Sequence, residues 1–407
     1  MKRVAITGLG VITPLGNSVE AFIGGLERGE NASVYMPEWK KYKGLRCLVG
    51  APACLENEKL IPRQNRRSMG RLSIFAVQAA QQALKDANIS KDTLSNGRLG
   101  CVIGSTMGSA ESIAEAFETL LPENDLSKLT STKFFQCVSH TAALNVGQFL
   151  GITGTVMATN AACASALQAI GAGYDLIRLG QQDVMLCGGA EGLHPTVVGS
   201  FDVLFATSTR FNQTPKETPR PFDAKRDGLV CGEGSGIVVL EDYDLAKKRK
   251  AKIYAEIIGF NSFGNGSHVS ESNREAITSC VNETLKRAKL CPQDIDYINA
   301  HATATIQGDK EEASAIRGIF GATVPVSSLK GNIGHTLGAS GAIELIASLI
   351  MMKKSIIYPT LNLKEPDKDC QGINHVMHPV AKEINILLKN CFAFGGINAS
   401  LVCKKED

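Results

Sequence analysis

The 407-residue chain balances 43 lysines and arginines against 40 aspartates and glutamates, for a formal net charge of +3, with 44% apolar and 20% charged residues. That balance excludes a disordered or fibrous chain, and it exerts no global pull toward nucleic acid or a membrane surface. The longest apolar stretch, 343–352, contains Glu344 and is too short to span a bilayer.

From the N-terminus, Met1, Lys2 and Arg3 run straight into a strand, with no signal peptide. The twelve cysteines lie singly, none in CxxC spacing. A reducing cytoplasm is therefore expected, with Cys101, Cys187 and Cys403 as small core hydrophobes. Strands are predicted at 4–7, 99–103, 155–158, 183–187, 236–240, 253–258, 297–300, 324–327, 388–393 and 399–403. Helices are predicted at 69–87, 164–179, 274–288, 310–320 and 339–353. This alternation argues for α/β layers with largely buried sheets.

The opening ITGLGVITPLG (6–16) has Thr13 where a dinucleotide fingerprint needs its third glycine, so Gly8 and Gly10 read as a tight strand exit. The polar stretch 207–227 reads as a long irregular surface element. A charged segment, EDYDLAKKRKAK (241–252), divides the chain into an N-terminal half, about 1–250, and a C-terminal half, about 251–407. Each half repeats the strand and helix pattern and sets reactive residues just past strand ends. A duplicated unit within one 407-residue whole is expected.

Cys163, in NAACASA (160–166), stands where a strand gives way to a helix. Free N–H groups and the positive end of the helix dipole favour a thiolate there, and the small neighbours leave a substrate room. His301 ends a strand in NAHATAT (299–305), with the hydroxyls of Thr303 and Thr305 beyond it. KGNIGH (330–335) repeats the theme, setting Lys330 and His335 among glycines. Such settings imply close backbone approach to polar groups. Neither histidine belongs to an HExxH pair, so no metal site is expected. In FAFGGINAS (392–400), a strand breaks at Gly395 and Gly396 beside Phe394, which offers a backbone N–H and a mobile aromatic gate.

With VAITGLGVITPLGN (4–17), GGAEG (188–192), STR (208–210), RPFDAKRDGLVCGEGSGIVVLE (220–241) and GDKEE (308–312), these segments make the chain resemble the β-ketoacyl-acyl carrier protein synthases, the elongating condensing enzymes of the thiolase superfamily. The likeness covers essentially the whole length. It implies a duplicated, five-layered α-β-α-β-α fold and a decarboxylative condensation of an acyl-cysteine with malonyl-acyl carrier protein. His301-Ala-Thr, where the family usually has His-Gly-Thr, and Asn-Ala-Ala before Cys163 point to the ketosynthase subunit of a type II polyketide synthase. Housekeeping fatty acid elongation, a non-catalytic chain-length-factor-like partner and a thiolase acting on coenzyme A esters are the alternatives.

The resemblance also assigns roles. The N–H groups of Cys163 and Phe394 hold the oxyanion, and Phe394 gates the acyl pocket. His301 and His335 stabilise the enolate as Nε2–H donors, while Lys330, with Glu344 as ionic partner, orients the cluster. Thr303 and Thr305 hydrogen-bond the pantetheine arm, and Gly395 and Gly396 belong to the substrate site. Arg63, Arg66 and Arg67 match the family's docking region for an acidic carrier protein, with Arg71, from the same basic run, and Arg210 as further candidates for the dock. No cofactor is bound by the chain itself, since the substrates ride on the carrier's phosphopantetheine. The partners implied are the carrier protein and a second ketosynthase-like chain, identical or cysteine-free.

Overall fold

The computed structural model describes residues 1–266 and 273–406. Its strands are β1 (Val4–Ile12), β2 (Leu99–Gly104), β3 (Val156–Thr159), β4 (Val184–Glu191), β5 (Gly234–Asp242), β6 (Ala255–Gly264), β7 (Tyr297–Asn299), β8 (Pro325–Ser327), β9 (Asn374–His375), β10 (Ile386–Ala393) and β11 (Ile397–Lys405). They join in the order β9-β8-β7-β10-β11-β6-β1-β5-β4-β2-β3. Leaving aside the short edge strand β9, β1-β5-β4-β2-β3 and β6-β11-β10-β7-β8, read outward from the centre, follow the same sequence of first, fifth, fourth, second and third strand. Directions repeat as well: two antiparallel pairings, then two parallel ones. The first strands of the two halves, β1 and β6, pair antiparallel and join them.

Helices α1 (Arg71–Ala87), α2 (Ser165–Arg178), α3 (Arg274–Ala288), α4 (Ile306–Phe320) and α5 (Ser340–Lys354) fill the layers. The central pair, α2 and α5, touches strands of both halves and each other, whereas α1 covers β1 and β5, and α3 covers β6 and β11. α5 is buried around its whole circumference from Ser340 to Met352, as a middle layer requires. Each Leu or Ile sealed there contributes roughly 1.5–3 kcal/mol of transfer free energy. The result is the five-layered α-β-α-β-α arrangement.

Two local expectations need correction. Gly8 and Gly10 lie inside β1 rather than at its exit. A Cβ on Gly8 would sit 2.3 Å from the Ala83 carbonyl oxygen and one on Gly10 2.0 Å from that of Ala79, so the glycines let α1 settle onto the strand. Segment 241–252 runs from the end of the last strand of one half toward the first of the other; Glu241 is buried and takes the Arg249 guanidinium at 2.8 Å, and Asp242 caps a short helix, Tyr243–Lys248. The stretch 207–227 is irregular but much of it is interior. Arg226 is 2% exposed and ion-pairs with Asp367 at 3.0 Å, and Arg220 with Asp223 at 2.9 Å. Charge pairing lets polar residues enter the core, which composition alone does not reveal.

Candidate active site

β3 ends at Thr159, a single tight turn spans Ala162–Ala164, and α2 begins at Ser165. Ala162 has φ +45°, in the left-handed region that disfavours a side chain. The strain is held by Ser165, whose Oγ donates to the Ala162 carbonyl at 2.7 Å and accepts from Ala161 N at 2.9 Å. This elbow delivers Cys163, 4% exposed, to the floor of a cleft with about 450 Å³ of open space.

His335 is fixed through its backbone. Its N–H donates to the Val230 carbonyl at 2.7 Å and its carbonyl accepts from Gly232 N at 2.8 Å. Its Nε2 lies 2.9 Å from Cys163 Sγ. His301 follows β7, and the Glu312 carboxylate on α4 takes the N–H groups of His301 and Ala302 at 2.8 and 2.6 Å. The two imidazoles meet edge to face with centroids 5.2 Å apart. Sulfur and both rings thus converge, with one donor atom of each of Cys163, His301 and His335 within 4.8 Å of the others.

The electrostatics correct one expectation. Burial pushes the Cys163 thiol up to about 12, with Lys330 only partly opposing it, so the resting group is a thiol despite the helix start. Burial, then Lys330, holds His301 and His335 well below the ordinary imidazole value, so both are neutral. A neutral thiol beside a neutral imidazole can pass its proton within one hydrogen bond as attack begins. The same three atoms could ligate a cation by geometry, but the adjacent buried ammoniums oppose one.

Lys330 is fully buried and its Nζ lies 2.6 Å from Glu344 Oε1, as expected of the pair. The other carboxylate oxygen holds a second buried lysine, Lys389, at 2.5 Å. Although burial opposes ionisation, Lys330 and Lys389 hold Glu344 down at about 2. Thr303, Thr305 and Phe394 line the cleft with the three reactive residues. The two threonine hydroxyls lie 3.1 Å apart, and the Phe394 ring stands 5.7 Å from that of Phe201. Gly395 and Gly396 are outside this lining. Their φ values of +87° and +72° give them the β10–β11 turn instead, where a Cβ on Gly396 would strike Asn265.

The arginines divide. Arg63 and Arg67 are exposed. Arg66 is half-buried and bonds the Ile61 carbonyl. Arg71 is turned inward onto Glu233 at 2.7 Å and the Ala53 carbonyl, which removes it from any dock. Arg210 has an exposed side chain whose Nη2 donates to the carbonyls of Lys225 and Arg226.

Sequence reasoning assigned no part to Glu312, Phe201, Phe392 or Lys389. Glu312 lay within the quoted GDKEE segment. Lys389 had its own signal, the single charge inside the otherwise apolar and amide run of β10.

Residues 1–246 match the model of the beta-ketoacyl synthase N-terminal domain and 254–364 that of its C-terminal domain. The chain is 33% identical to 3-oxoacyl-[acyl-carrier-protein] synthase 1 of Escherichia coli K12, over all of this chain and 99% of that one. It is 36% identical to a putative mitochondrial 3-oxoacyl-[acyl-carrier-protein] synthase of Schizosaccharomyces pombe, with the same coverage. A beta-ketoacyl synthase crystal structure from Burkholderia phymatum superposes with a TM-score of 0.97 at 43% identity, full length on full length. A type II polyketide ketosynthase in complex with its acyl-carrier protein, AntDE:AntF, superposes at 0.92 with 30% identity, again over the whole of both chains. With the fold, the cysteine–histidine cluster and these full-length matches in agreement, the chain belongs to the β-ketoacyl synthase family.

Proposed function

We propose that the chain joins an acyl group to malonyl-acyl carrier protein by decarboxylative condensation, with Cys163 as the acyl carrier. The observation that carries this reading is the 2.9 Å contact between Cys163 Sγ and His335 Nε2, beside a second neutral imidazole. In the first half-reaction, sulfur attacks the thioester carbonyl and its proton passes by way of His335 Nε2 to the departing pantetheine thiol. The N–H groups of Cys163 and Phe394 hold the oxyanion, a contribution worth about 100- to 1000-fold per donor in comparable sites. In the second, the malonyl thioester loses carbon dioxide while His301 and His335, the latter now in its Nε2–H tautomer, hold its carbonyl oxygen as donors. The enolate carbon then attacks the acyl-cysteine and expels the Cys163 thiolate, which takes up one proton from water as the site resets. Neutral donors suit this step, since they stabilise the enolate without first quenching it. Incubation with acyl- and malonyl-acyl carrier protein should yield a 3-oxoacyl-carrier protein and carbon dioxide. Absence of both products would refute the reading.

A polyketide product is favoured by the His301-Ala-Thr and Asn-Ala-Ala-Cys departures. Fatty acid elongation draws on the 33–36% identity to full-length relatives named 3-oxoacyl-[acyl-carrier-protein] synthases. Intact mass of the acylated chain separates the two by which acyl group loads. A non-catalytic partner role is disfavoured by the assembled nucleophile. The repeated strand order supports two units meeting near residue 250.

The carrier dock falls to Arg63 and Arg67, with Arg66 and Arg210 beside them. Reversing both exposed charges, Arg63→Glu with Arg67→Glu, should raise KM for carrier-borne thioesters roughly tenfold and leave acylation by small thioesters unchanged. Equal transfer from carrier protein in the variant removes this dock. Strand β3 ends the sheet with Val156 and Met157 over 40% exposed, which suits pairing with a second ketosynthase-like chain. Sedimentation of the purified chain shows whether an identical copy suffices. No helix among the described residues is long and apolar enough to cross a membrane. We read the chain as cytoplasmic and without a cofactor of its own.

A further inference from the structure

Lys389 is fully buried in the middle of β10, and the condensation described above gives it no task. Its Nζ lies 2.5 Å from Glu344 Oε2 and donates to the Asn390 carbonyl at 2.8 Å. Glu344 Oε1 meanwhile takes Lys330 Nζ at 2.6 Å and the Ser340 hydroxyl at 2.9 Å. A buried lysine–glutamate pair is self-neutralising, and Lys330 with Glu344 would complete one. A second ammonium on the same carboxylate leaves one positive charge in surplus.

The groups that face this charge come from every element around it. α5 contributes Glu344, β10 contributes Cys391 and β7 contributes Tyr297. Lys330 and His335 come from the loop and turn before α5, and Cys163, at the elbow before α2, lies beyond them against His335. His301 and Glu312 come from β7's exit and α4. Glu312 is the second buried carboxylate among them, and it is already committed to the N–H groups of His301 and Ala302.

We propose that Lys389 is a positioning residue: with Lys330 it clamps Glu344 from both sides and adds positive charge beside the chamber that holds Cys163, His301 and His335, favouring the anions formed there. The inference rests on the condensing reading above. Its electrostatic direction agrees with the environment of the rings, since Lys389 adds to burial and Lys330 in disfavouring a proton on either imidazole. The same charge favours the thiolate in transit and the enolate oxygen. A unit charge acting on such groups through a partly screened interior carries an effect on the order of one pH unit, or tenfold.

The test compares Lys389→Met, which keeps length but not charge, with Lys389→Arg, which keeps charge, in the full chain with acyl- and malonyl-carrier protein. In K389M the acid limb of the condensation profile should move up by about one pH unit, and kcat at neutral pH should fall about tenfold. KM for the carrier thioester should hold within about twofold, and K389R should recover most of the rate. A merely structural lysine would lower kcat equally at every pH. An unmoved acid limb, or an arginine variant no better than methionine, overturns the proposal. Should K389M not fold, Lys389→Gln replaces it, and if that too is unfolded the residue is structural and the proposal falls. Alkylation of Cys163 by iodoacetamide needs no carrier protein. On this proposal its pH midpoint rises in K389M even if the wild-type chain fails to condense, so the two readings can fail separately.

Discussion

Cys163→Ala should lose condensation altogether, on the order of 10⁴-fold or more, because a covalent route ends without its nucleophile. The variant should also take up no acyl mass from acyl-carrier protein. Decarboxylation of malonyl-carrier protein should survive, because His301 and His335, not the sulfur, hold the oxygen that becomes enolate. The fold should be untouched, since the side chain is small and its neighbours Ala161 and Ala164 are held by Ser165 and the elbow rather than by the sulfur. Thermal unfolding of the variant checks that point. Rate and mass then report on chemistry alone. Undiminished condensation in C163A would remove the nucleophile assignment. Loss of decarboxylation along with condensation would mean that sulfur takes part in both half-reactions.

The rest state of that sulfur shows where sequence stops informing. A helix start is legible from the change of period at 163–165, and it argues for a lowered thiol pKa. How deeply the thiol is buried is not legible, because its cover comes from other elements, Ala110 and Val197 among them. His335 and Leu337 pack over it, and burial outweighs the helix end. Local pattern was otherwise a good guide to the elements. Alternating apolar runs located the long strands, and the helix predicted at 310–320 is longer in the fold, where α4 begins at Ile306. Gly8 and Gly10 failed in the opposite way. Their spacing resembles a loop signal, yet their cause is the approach of α1 from 70 residues downstream.

The paired site residues follow the same division. Cys163, His301, His335 and Lys330 announce themselves through small neighbours and strand ends. Glu312 contacts His301 through backbone N–H groups, which leave no mark on residue type at 301 or 302. Lys389 does leave one, as a charge in an apolar strand, but its meaning depends on knowing that α5 places Glu344 opposite. Arg71 shows the converse. It sits in a basic run that reads as one surface, and only Glu233, 162 residues on, shows that it faces inward.

Glu344→Ala should destabilise the chain by about 3–5 kcal/mol, because it leaves the ammoniums of Lys330 and Lys389 buried without their shared counter-ion. Desolvating a charge is expensive, and these two side chains are fully buried with few other acceptors. Among the described residues Lys330 Nζ finds no acceptor but Glu344, and Lys389 retains the Asn390 carbonyl. Denaturant unfolding of E344A against wild type measures the loss, and Glu344→Gln, which keeps the volume, separates charge from cavity. A double variant with Lys389→Met should recover part of the stability, since one stranded charge is then gone. The pH dependence has a definite sign. Glu344 is held at about 2 by the two lysines against an ordinary value of 4.5, so its folded-state pKa is depressed. Its contribution is complete above the unfolded value and is lost as pH falls from about 4.5 toward 2. Wild type should therefore lose stability across that interval more steeply than E344A, and the two unfolding curves should converge at its acid end. An E344A chain within about 1 kcal/mol of wild type at neutral pH would show that water or a proton already compensates the lysines. The surplus charge assigned to Lys389 would fall with it.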